Sequence, residues 1–213
     1  MNRLFRVLSC LLVLGCASLR GEVYMGINYS DSLGQVRKLF PTAKITNAKP
    51  AWAKPEDALY SISGEGIAGT IVVKFNDTRP LFKMLADTSV PGTYREKYEK
   101  LASQSDDDAL TVQWVRWAPD TAIPLKRLVE KYGPWDKKEI HIQSYQSQRT
   151  WTKRKISAHI ADDDKSVQMI DFNFTPDEKI KGLRGNGEVV GPEDEKYYRD
   201  MDKPEPKPKK NKK

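Results

Sequence analysis

Cysteine and histidine are nearly missing from this chain. Its 213 residues contain two cysteines, Cys10 and Cys16, and two histidines, His141 and His159. Both cysteines fall within the first 16 residues. The remainder therefore has no disulfide, no thiolate nucleophile and no cysteine metal site. Long apolar runs are missing too. The most apolar stretch, Val7–Leu14 (VLSCLLVL), is too short for a bilayer span, which needs about 20 residues. The signatures of familiar hydrolases, GxSxG, HExxH and SxxK, are absent as well.

Basic charge is present, but not where a nucleic-acid domain would carry it. The formal net charge is +7. Residues 1–22 contribute +2 and residues 203–213 contribute +5, which leaves residues 23–202 neutral. A neutral domain argues against nucleic acid as the partner. Only 38% of residues are apolar, so part of the chain is expected to lie outside any core.

The N-terminus has the plan of an export signal, with a basic Met1–Arg6, an apolar Val7–Leu14 and small residues at 15–18. Two forms of processing fit residues 1–17. Gly15 and Ala17 suit cleavage after Ala17, whereas Val13-Leu14-Gly15-Cys16 resembles a lipoprotein signal with Cys16 as the lipidated residue. The expected location is accordingly periplasmic, membrane-anchored by lipid, or secreted.

Downstream, two stretches share one plan, and the expected fold class is α+β with two similar helix-on-antiparallel-sheet halves, residues 23–77 and 110–176. In the first, a strand over Val23–Tyr29 leads to a helix capped by Asp31 or Ser32, with Leu33, Val36, Leu39 and Phe40 at helical spacing and Pro41 as the stop. Strands over Ala58–Ser63 and Ile67–Phe75 follow. In the second, 89 positions later, a strand over Leu110–Trp117 leads to a cap at Asp120-Thr121 and apolar residues at Ala122, Leu125, Leu128 and Val129, ended by Gly133-Pro134. Strands over Glu139–Tyr145, Thr150–Ala161 and Ser166–Thr175 complete it, with turns at Gln146–Arg149 and Asp162–Lys165. Residues 78–109 read as a helical linker. Residues 177–213 read as a charged, largely disordered tail that ends in KPEPKPKKNKK.

The element order and the helix end LVEKYGP at Leu128–Pro134 resemble two groups of exported bacterial proteins, the tandem-repeat β-lactamase inhibitor protein and the small outer-membrane assembly lipoproteins. The first half departs from that rhythm, since Pro41 ends its helix without a glycine. The resemblance spans roughly residues 23–175 and implies protein binding or an envelope scaffold role.

Catalytic candidates are few. His141 and His159 alternate with aliphatic neighbours and read as strand residues turned away from the apolar side. Asp162-Asp163-Asp164 are adjacent, so they cannot converge on one calcium ion. Ser63-Gly64-Glu65-Gly66 joins two strands and opens no helix, which makes it a turn and not a phosphate cradle. No cofactor or metal is expected. The candidate binding residues are Trp151, Tyr145 and Arg154, an aromatic and basic group around one turn, since aromatics and arginine carry most interface energy. The Lys-rich tail could engage an anionic membrane or cell-wall polymer. The sequence therefore points to an exported, non-enzymatic binding or scaffold protein of the bacterial envelope. The alternative is an exported hydrolase acting on cell-wall or carbohydrate material.

Overall fold

A computed structural model describes residues 25–48, 57–64, 66–89, 91–140, 146–201 and 203. In chain order these form α1 (Leu33–Leu39), β1 (Lys44–Asn47), β2 (Asp57–Ser63), β3 (Thr70–Asp77), α2 (Arg79–Thr88), α3 (Thr93–Ala102) and α4 (Asp106–Ala109). There follow β4 (Leu110–Ala118), β5 (Ile123–Pro124), α5 (Leu125–Tyr132), β6 (Lys137–Ile140), β7 (Ser147–Trp151), β8 (Ile156–Ile160), β9 (Ser166–Asn173), α6 (Pro176–Gly185) and α7 (Pro192–Met201). The class is α+β. The two halves do not build separate sheets, however. Their strands join in one nine-stranded antiparallel sheet, in the order β1-β2-β3-β4-β9-β8-β7-β6, with β5 paired to β9 beside β4.

The register decides which side chains meet. Tyr60, Val73, Val115, Phe172, Ile156 and Trp151 lie in one row across six strands, and Ile62, Ile71, Trp117, Ile170, Ala158 and Arg149 lie in the next. All of them are buried except Trp117, which is half-buried. Residues in register share a face because side chains alternate along a strand. Each large apolar member removed from water contributes about 1.5–3 kcal/mol, so these rows make the core. The intervening rows on the other face are half-buried. They are Ser61, Val72, Arg116, Asp171, Ser157 and Thr150, and then Leu59, Lys74, Trp114 and the exposed Asn173.

Helices α1 and α5 supply the apolar cover of the core. Leu33 and Val36 of α1, and Leu125 and Leu128 of α5, are buried. The two helices therefore correspond at a spacing of 92, Leu33 with Leu125 and Val36 with Leu128, and not at 89. The spacing of 89 is therefore out of phase by almost one turn, since Leu39 is 44% exposed and Ala122 lies before the helix. Ser32 caps α1 as expected, with Gln35 closing a capping box. Helix α5 does not start at Asp120-Thr121. It starts after Pro124, which belongs to β5.

Three further expectations are corrected. Residues 25–30 are not a strand, since Met25, Gly26 and Ser30 all have positive φ. The chain instead reaches β4 through Ser30 and Asp31, which exchange backbone hydrogen bonds with Val112. Thr150–Ala161 is not one strand. It is a hairpin of β7 and β8, turned by a 3-10 segment at Thr152–Arg154 and Lys155 at φ 55°. Gln146–Arg149, expected as a turn, lies almost wholly in β7.

Residues 176–201 are not a frayed tail either. Thr175 caps α6 in a box with Glu178, and Ile180, Gly182 and Leu183 of α6 are buried. Tyr29 meets Phe174 and Tyr198 edge-on, at 5.7 and 6.5 Å, which ties α6 and α7 to the start of the domain. Arg184 bonds Glu195 at 2.6 Å between the two helices. Residues 204–213 lie outside the described residues, as do the expected signal at 1–17 and Cys16. No helix among the described residues is long and apolar enough to cross a membrane.

The docking of α6 has a direct test. A Cβ on Gly182 would sit 2.1 Å from the Tyr29 carbonyl oxygen, whereas one on Gly185 meets nothing within 4 Å. Gly182→Ala should cost about 1–3 kcal/mol in urea unfolding. Gly185→Ala should be neutral or stabilise by up to about 1 kcal/mol. Equal effects would contradict the docking.

Candidate functional site

The binding group expected from the sequence does not assemble. Trp151 is 3% exposed, and its indole N–H donates to the Gly133 carbonyl at 2.8 Å. Gly133 ends α5 at φ 82°, and Tyr132 meets Trp151 edge-on at 6.0 Å. Trp151 is thus a core residue that locks the end of α5 to β7, and it presents no surface to a partner. Arg154 is exposed and lies 5.7 Å over the Tyr132 ring, on the α5 side. Tyr145, Trp52 and His141 lie outside the described residues.

The open face of the sheet carries a different constellation, centred on Asp171. Asp171 stands opposite Arg116 on β4 and Ser157 on β8. Arg116 donates to it twice, from Nε at 2.5 Å and from Nη2 at 2.9 Å. His159 Nε2 donates to Asp171 Oδ2 at 2.9 Å, and Gln146 Oε1 lies 3.3 Å from His159 Nδ1. The Arg116 guanidinium also stacks over Trp114 at 5.3 Å. This band across β4, β9 and β8 is ordered by bidentate geometry, which fixes an arginine better than a point charge could.

Burial acts to raise the Asp171 carboxyl, but the Arg116 guanidinium and His159 outweigh it and hold the group below its ordinary value. A carboxylate so held is a poor general base, since efficient proton transfer needs a pKa near the working pH. Nor is a Ser-His-Asp relay formed. Ser157 shares the face with both groups, but its Oγ pairs with Thr150 Oγ1 at 3.3 Å, whereas a relay needs the serine on the histidine nitrogen. His159 itself is 2% exposed. What the band can do is present a rigid, half-exposed surface of Trp114, Arg116, Lys74 and Val72.

A second polar feature closes the packed side and escaped the sequence reading. Arg149 is 2% exposed and lies in the core row. It pairs with Asp164, donates to Ser147 Oγ at 2.6 Å and stacks over Trp135 at 5.4 Å. Its placement in β7, and not in a turn, is what buries it. Alternation within Ser147–Trp151 was the available signal.

Among the described residues no group of three or more His, Cys, Asp or Glu could hold a metal ion. A cavity of about 340 Å³ opens on the packed side beside α5. Its described lining residues include no carboxylate and no histidine. Comparison with protein-family models, with curated proteins and with solved structures finds no match.

The Asp171 band links stability to pH. The folded carboxyl titrates below the unfolded value of 3.8, so its contribution is complete above that pH. The contribution is lost as pH falls through the folded value. Asp171→Asn should cost about 2 kcal/mol at neutral pH and flatten the loss of stability below about pH 4. Urea midpoints measured across pH 2–7 check both, and a parallel acid transition in the two proteins would contradict the coupling.

Proposed function

We propose that the protein is an exported, non-enzymatic binding or scaffold protein of the bacterial envelope, which recognises a partner protein through the open face of its sheet. The observation that supports this reading most is the asymmetry of the sheet. One face is packed, whereas the other holds Trp114, Arg116, Lys74 and Val72 half-exposed in adjoining rows. Aromatic and arginine side chains on a stiff support lose little entropy on binding and dominate interface energies. Export is supported by the three-part plan of residues 1–17, with Cys16 as the acceptor if a lipid is attached. The resemblance to β-lactamase-inhibitor-type and assembly-lipoprotein modules points the same way. The Lys-rich residues 203–213 would add affinity for an anionic bilayer or cell-wall polymer, at about 1 kcal/mol per lysine near the surface.

Hydrolysis of wall or carbohydrate material would ask for two carboxylates flanking a cleft. In the band on the open face the carboxylate is Asp171, and it is already saturated by Arg116 and His159.

Affinity capture from envelope extract, with bound proteins identified by mass spectrometry, tests the open face. Trp114→Ala combined with Val72→Glu should lower capture of the same partner about 30-fold, the equivalent of about 2 kcal/mol, with an unchanged circular dichroism spectrum. Undiminished capture would contradict the assignment. Intact-mass measurement of the native protein tests the export half, through a cleaved N-terminus or an acyl group on Cys16.

A further inference from the structure

The cavity beside α5 lies on the opposite side of the sheet from the proposed partner surface, and its chemistry is different. Its floor is the core itself, with Ile71 of β3, Val115 of β4, and Ile170 and Phe172 of β9. Trp117 forms part of the wall, and its indole N–H is already given to the Ala68 carbonyl at 3.0 Å. Leu128 and Tyr132 close the side toward α5, and Met25 and Ile123 lie at the margin. Two of the lining residues are cationic. Arg127 and Lys131 stand one turn apart on α5, and both are exposed, so the cavity reaches solvent beside them. Like charges at this spacing disfavour a helix slightly. Lys131 Nζ lies 5.5 Å over the ring of Tyr132, itself a lining residue, and Lys126 and Glu130 pair at 3.6 Å.

An apolar chamber with two cations at its mouth and no carboxylate among its described lining residues selects a ligand of matching form. The apolar walls reward a hydrocarbon body. The cations reward a negative head, and they penalise a positive one. A volume of about 340 Å³ lies at the small end of ligand sites, which suits one chain and not two.

We propose that this cavity binds a single-chain fatty acid, with the acyl chain against Ile71, Val115, Phe172 and Leu128 and the carboxylate between Arg127 and Lys131. The site is independent of the open-face reading and stands or falls separately. A free fatty acid and an acyl chain still embedded in a bilayer share this chemistry, so the test separates them.

Isothermal titration with monomeric dodecanoate, dodecanol and dodecyltrimethylammonium, with Trp fluorescence as a second readout, examines the head group. Dodecanoate should bind one to one, at least about tenfold more tightly than dodecanol, since a charge-assisted hydrogen bond is worth about one order of magnitude. The ammonium amphiphile should be weakest. Arg127→Glu combined with Lys131→Glu should lower dodecanoate affinity about tenfold or more and leave dodecanol unchanged. Ile123→Trp, which fills the margin, should weaken both, and Ala68→Trp does the same from the other wall should the first variant fold poorly. Equal affinity for the three amphiphiles, dodecanoate binding untouched by either filling variant, or no binding of dodecanoate would overturn the proposal. Association with anionic vesicles but not with monomeric dodecanoate would overturn it too, since it would assign the cations to a membrane surface.

Discussion

The fold depends on the pairing of β4 on both of its edges. Without it the chain would be two short meanders, β1-β2-β3 and β6-β7-β8-β9, each with one helix. With it, Val115 lies between Val73 and Phe172, and the core rows run unbroken across six strands. One further constraint rides on this pairing. The ladder between β3 and β4 shifts register at Lys74/Phe75. That irregularity lets Val112 and Val115 share the packed face although they are three residues apart. Trp114 and Arg116, two residues apart beyond the irregularity, share the other face by ordinary alternation.

The same pairing creates the asymmetry on which function is argued. Burying the apolar rows under α1 and α5 places every alternate residue on the opposite face, among them the half-buried Trp114, Arg116 and Asp171 and the buried His159. The charged band there is tightly hydrogen-bonded and has little capacity for proton transfer. Its physical consequence is rigidity. Edge strands are kept from pairing with other chains by the same economy of charge, with Lys137 and Lys138 on β6 and Lys44 on β1 exposed.

Much of this was legible in the residues. The strands β2, β3, β4 and β9, the stops at Pro41 and Gly133, the cap at Ser32 and the helices between the halves all follow from local pattern. The failures have identifiable causes. Trp151 is a core aromatic beside a basic turn, and local sequence does not distinguish such a residue from a surface group. Only the register, which sets Trp151 opposite Ile156, shows that it points inward. The Asp171 network was invisible because its partners are 55 and 12 positions away, so pairing and not spacing joins them. Helices α6 and α7 were missed because their charged sequences buy little core of their own. They dock through Gly182 and the Tyr29 cluster, which are contacts made across the whole chain. The α5 cavity depends on residues from five separate segments and has no local signature at all.

The central claim is that both meanders belong to one cooperative sheet, held by β4. Native-state hydrogen exchange measured residue by residue tests it most directly. Amides of β2–β3 and of β8–β9 should exchange with the same, highest opening free energy, and Val115→Ala should lower both sets together. A set of β8–β9 amides that opens at markedly lower free energy, and is untouched by Val115→Ala, would contradict it.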